Sequence, residues 1–161
     1  MSSTDELCSL RWDPVSQGVE VIDQTLLPHA LRWCRLESLP AFCHAISTMQ
    51  VRGAPLIGIT AAFGLANALA EDASNENLAR ASAALMATRP TAVNLRWALD
   101  QITCAVKSLE PSQRALVALP RALSLRAEDI VNCERIGANG LQPLSAPNKD
   151  QLTNITHCNT G

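Results

Sequence analysis

LIGITAAFGLANALA, residues 56–70, is the most apolar stretch of the chain, and its reading organises the rest. The run is shorter than the ~20 residues a membrane span needs, contains Asn67 and stops at Glu71 and Asp72. Gly58, Ala61, Ala62, Gly64, Ala66 and Ala68 are small, so other backbones can come close. The stretch therefore predicts a buried core helix rather than a membrane crossing. Pro55 stands just inside its start, where a proline loses no hydrogen bond.

Working outward, four more helical regions are predicted downstream and upstream of it. Ser38 caps one running to about Met49, with Pro40 in its first turn. Ser74 caps another through about Ala87, and Thr91 a third through Lys107. A last one opens at Ser112, breaks or kinks at Pro120, resumes to about Ala138 and stops at Gly140. The first 36 residues alternate instead. Leu10 to Trp12, Val19 with Val21, and Leu31 with Trp33 read as two or three short antiparallel strands, with turns at Asp13-Pro14 and residues 27–29.

After Gly140 the character changes. Residues 142–151 hold two prolines and an Asn-Lys-Asp cluster, which reads as a linker. LTNITH, residues 152–157, reads as a strand, and residues 158–161 as the turn leaving it. One strand after a linker cannot satisfy its own backbone. The expectation is α+β: a strand-bearing helical domain over 1–140, a linker over 141–151, and at 152–161 the first strand of a truncated Rossmann-like domain.

Composition narrows the function classes. The chain has 161 residues, of which 47% are hydrophobic, 3% aromatic and 17% charged, with net charge −2. Ala (24) and Leu (22) favour helix. The absence of clustered positive charge argues against nucleic-acid and membrane-surface partners. Eleven arginines stand against two lysines, and arginine forks suit carboxylate and phosphate, although surface ion pairs use them equally well. Six cysteines form no C-x-x-C pair, so no metal site is expected. With no basic-then-apolar leader at the start, free thiols imply a reducing cytoplasm. Cys43 and Cys104 read as small core residues, His29 and His44 as structural, and Trp12, Trp33 and Trp97 as packing anchors.

Three clusters can carry chemistry. VRGAPLIG, residues 51–58, puts Arg52 and Gly53 before a helix whose first turn holds Ala54 and Pro55. Free amides there favour an anion, and glycine lets it approach the backbone; a plain turn has the same sequence. TRPTAVNL, residues 88–95, sets Arg89 in extended backbone before a proline, just ahead of another helix. His157-Cys158 ends the presumed strand, where ligands of open α/β sheets bind.

These stretches, with VIDQTLLP at 21–28 and THCNTG at 156–161, occur in this order in the S-methyl-5-thioribose-1-phosphate isomerases, which the chain resembles over the first half of their pattern. The Arg-Gly-Ala-Pro stretch is similar also to ribose-1,5-bisphosphate isomerase and to regulatory subunits of the eukaryotic initiation-factor nucleotide exchanger. The resemblance implies an aldose–ketose isomerase of methionine salvage that needs no cofactor and forms homodimers. It implies that Arg52, Gly53, Ala54 and Arg89 bind a sugar phosphate and that Cys158 assists the transition state. The family's proton-donor aspartate lies past Gly161, so these residues alone are expected to be inactive. The alternatives it leaves are a non-catalytic sugar-phosphate or nucleotide sensor and a ribose-1,5-bisphosphate isomerase.

Overall fold

A computed structural model describes residues 8–144. Three antiparallel strands, β1 (Leu10–Asp13), β2 (Gly18–Ile22) and β3 (Trp33–Leu36), are followed by five helices. These are α1 (Leu39–Ser47), α2 (Ala54–Glu71), α3 (Asn75–Thr88), α4 (Val93–Val106) and α5 (Pro111–Leu144). The α+β reading of this part therefore holds.

The strand register explains why these short strands pair. Leu10 faces Val21, which faces Cys34; Trp12 faces Val19, which faces Leu36. Side chains alternate across a strand, so one face of the sheet is continuously apolar and the other carries Arg11, Glu20 and Arg35. On that outer face Arg11 pairs with Glu20 at 2.6 Å and lies 4.1 Å over the Trp33 ring. Leu31, expected in the third strand, lies before it and is exposed.

The helix decided by residues 56–70 is the centre of the domain. α2 packs on α1, α3, α4 and α5, and most of it is buried, from Ile57 to Leu69. It is long and apolar enough to cross a membrane by length and composition, yet 67% of it is buried inside the domain. Its small residues do what the sequence implies. A Cβ built on Gly58 would lie 2.7 Å from the carbonyl oxygen of Asn94 in α4, so α2 and α4 touch backbone to backbone.

Two buried polar residues close the far end of α2. Asn77, at 4% exposure, donates to the carbonyl of Ala68 at 2.9 Å and to that of Asp72. Arg114, at 3% exposure, donates to the carbonyls of Leu109 (3.1 Å) and Ala73 (2.9 Å) and to Asn75 Oδ1 (2.6 Å). Among the described residues no carboxylate pairs with this buried guanidinium; helix-end and loop oxygens satisfy its fork of donors instead.

Three helix boundaries differ from expectation. α4 is capped by Ala92, not Thr91, and no side chain bonds its first turn. α5 runs unbroken through Pro120, because Ala118, Ala122 and Leu125 on both sides of the proline are buried in the core and hold the axis. It also continues through Gly140 to Leu144, since glycine weakens a helix by about 1 kcal/mol but does not end it. Residues 141–144, assigned to the linker, thus belong to α5; the strand at 152–157 and Cys158 lie outside the described residues.

Candidate functional site

The segment leading into α2 is fixed from the β2–β3 loop. Asp23, 8% exposed, accepts from the backbone amide of Thr25 (3.0 Å), from its hydroxyl (2.5 Å) and from Gln50 Nε2 (3.2 Å). The Thr25 hydroxyl, more than any other contact, holds the Asp23 carboxyl below its ordinary value. Gln24 gives its amide to the Gln50 carbonyl at 2.9 Å, and Arg52 donates from Nη2 to the Gln24 carbonyl. Val51, fully buried, bonds its amide to the Ala45 carbonyl at 3.2 Å. Residues 50–52 are therefore tied on both flanks.

Gly53 follows, with φ 94° and ψ 130°, and caps α2. That φ belongs to the region L side chains avoid. A Cβ there would meet nothing within 4 Å, so the glycine serves backbone conformation and leaves open space above the helix start. Among the described residues no side chain caps α2, and no acidic residue stands in its first turn. Pro55 has no amide, so the outward amides are those of Ala54 and Leu56, at the positive end of the helix dipole.

α4 opens in the same manner, without a side-chain cap and without an acidic first-turn residue. Arg89 precedes it with φ −149°, half-buried, its carbonyl accepting from the Ala92 amide at 3.0 Å. α3, between them, is the contrast: the Ser74 hydroxyl accepts from the Asn77 amide at 3.1 Å, and Glu76 stands in its first turn. The Gly58–Asn94 approach joins the second turn of α2 to the first turn of α4, which sets both uncapped openings at one end of the domain. Arg52 and Arg89 are not bonded to each other among the described residues; Arg52 is exposed and rests on Gln24.

Other expectations fare unevenly. Trp12 is a packing anchor, its ring stacked 6.0 Å from that of Phe63. Trp97 is not: it is 48% exposed. Cys43 is partly buried, and burial pushes its thiol up, away from reactivity. Cys104 is exposed rather than core. The buried face of α4 is Leu95, Ala98, Leu99, Ile102 and Val106, a spacing that leaves positions 97 and 104 outside. His29 and His44 are both exposed. Among the described residues no three metal-ligating side chains gather. Sequence reasoning missed Asp23 and Gln50, whose contact spans 27 positions and leaves no local signal.

Comparison with known proteins follows the same lines. The model of the initiation factor 2 subunit family matches residues 50–161. The methylthioribose-1-phosphate isomerase of Methylorubrum populi is 50% identical over 147 residues, covering 89% of this chain and 40% of its own length. The chain thus spans about two fifths of that curated relative. Among solved structures, the delta subunit of translation initiation factor eIF-2B from A. fulgidus aligns with TM-score 0.68 and 33% identity, over 76% of this chain and 37% of its own. The 5-methylthioribose 1-phosphate isomerase of Pyrococcus horikoshii aligns with TM-score 0.67 and 31% identity, over 74% and 36%.

Proposed function

We propose, on the premise that this chain belongs to the initiation factor 2 subunit family, that it supplies the phosphate-gripping part of an aldose–ketose isomerase. The substrate is 5-methylthioribose 1-phosphate, the product 5-methylthioribulose 1-phosphate, and the setting methionine salvage in the cytoplasm by a homodimer. The observation that carries this reading is the 50% identity to a methylthioribose-1-phosphate isomerase over 89% of the chain. The uncapped openings of α2 and α4 support it, because a phosphate dianion is what such helix ends stabilise.

The chemistry assigns roles. The sugar is locked as a phosphoglycoside and cannot open to an aldehyde unaided. An acid must protonate the ring oxygen, and hydrogen must then pass from C2 to C1. The amides following Gly53, at Ala54 and beyond, hold the phosphate with Arg52 and Arg89, and Cys158 assists the transition state.

A second reading, a non-catalytic sugar-phosphate or nucleotide sensor, is favoured by the likeness to the eIF-2B delta subunit. Calorimetric titration of the 161-residue polypeptide with 5-methylthioribose 1-phosphate, with the same sugar lacking phosphate, and with AMP separates them. The isomerase reading expects binding of the first only, weakened about tenfold or more by Arg52→Ala and by Arg89→Ala, since a charge-assisted pair is worth about 1.5–3 kcal/mol. Preference for AMP supports the sensor; indifference to both arginine substitutions defeats the phosphate grip.

A further inference from the structure

Arg52 is exposed just ahead of α2, and a long exposed side chain has rotamers to lose when it grips an anion. Tying it down beforehand removes part of that loss. Its tie is the Gln24 carbonyl, which accepts from Arg52 Nη2. A carbonyl is a firm anchor only if its peptide plane cannot turn, and this plane is held at its other pole.

The Gln24–Thr25 peptide is trans, so its C=O and N–H point in opposite directions. The Thr25 amide donates to Asp23 Oδ1 at 3.0 Å, which turns the Gln24 carbonyl away from Asp23 and onto the Arg52 guanidinium. The preceding peptide is held too. Gln24 gives its amide to the Gln50 carbonyl at 2.9 Å, and Gln50 Nε2 donates to Asp23 Oδ2 at 3.2 Å. One carboxylate, itself only 8% exposed, thus steadies both peptides of Gln24. The bend that delivers Gln50 is strained: Met49, just before it, has φ 64°, a region side chains rarely adopt. Such backbone persists where its surroundings hold it.

We propose, resting on the reading of Arg52 as a phosphate ligand, that Asp23 is a positioning residue of the grip. It touches no substrate; it acts through the Gln24 carbonyl, holding the Arg52 guanidinium in place before the phosphate arrives.

Calorimetric titration of the full chain with 5-methylthioribose 1-phosphate, with and without Arg52→Ala, tests this. Asp23→Ala should weaken binding about fivefold, for the loss of one net hydrogen bond. Once Arg52 is gone it should weaken binding no further, because the two effects share one route. Asp23→Asn should recover most of the affinity, since its oxygen still accepts from the Thr25 amide and its NH₂ meets a turned-over Gln50 amide. Gln50→Met removes one donor to Asp23, and should act in the same selective way if Asp23→Ala does not fold. A second readout needs no sugar. The Nη protons of Arg52, resolved at low temperature in the unaltered chain because Nη2 is bound, should merge in Asp23→Ala and separate again in Asp23→Asn. Absence of sugar-phosphate binding by the unaltered chain sinks the phosphate reading, and the Arg52 signals alone then decide the positioning. Equal weakening in both backgrounds, no recovery in Asp23→Asn, or Arg52 signals indifferent to Asp23→Ala would overturn the proposal.

Discussion

Gly53 and Asp23 show how single residues prepare the start of α2. Gly53→Ala introduces no clash, yet forces a side-chain-bearing residue to φ 94°. It should lower stability by about 1–2 kcal/mol, read as a shifted urea midpoint with unchanged slope. Asp23→Ala removes three accepted bonds and should lower stability by about 1–3 kcal/mol. The acid dependence has a definite sign. The Asp23 carboxyl is held below its ordinary value of 3.8, so its stabilisation is complete above that pH and is lost as pH falls through the lower folded value. Asp23→Asn should flatten the loss of stability below pH 3.8, measured by thermal melts across an acid series. The role of Gly53 was legible because glycine before a proline-led helix has a local meaning. That of Asp23 was not, since its partner Gln50 comes from another element.

Helices were the most legible elements, their ends the least. Ser74 caps α3 as its sequence says, through a hydroxyl that accepts from the amide of Asn77, the third residue of the helix. Thr91 yields to Ala92, because a cap depends on local backbone direction as well as residue type. Pro120 inside α5 reads as a break, and packing on either side overrides it. The small residues of α2 were read correctly as contact points. Gly58→Ala tests the tightest of them. Its Cβ would press on the Asn94 backbone, 2.7 Å away, which cannot swing aside as a side chain would. A loss of about 1–3 kcal/mol is expected from such overpacking, together with shifted amide resonances at the start of α4. If α2 and α4 together form the phosphate grip, the same substitution weakens phosphate binding.

For the molecule as a whole, Arg114 shows what composition conceals. Eleven arginines suggested surface pairs and a phosphate site. One of them is buried as a knot between α5, the α4–α5 turn and the α2–α3 corner. Arg114→Met keeps the stem and strands three acceptors, and should lower the thermal midpoint with a loss of about 2–4 kcal/mol. The outer ion pairs Arg11–Glu20 and Arg35–Glu37 are exposed, and Arg35→Gln should leave the midpoint nearly unmoved. The knot also divides α5. Its first half is welded to the core, whereas residues 131–139 are exposed among the described residues. A helical arm of that length without core contacts among the described residues, with Gly137 and Gly140 along it, sits near the limit of what propensity alone sustains. Warming should therefore unwind it by degrees from its tip, a sloping loss of ellipticity well before the body of the domain melts in one step.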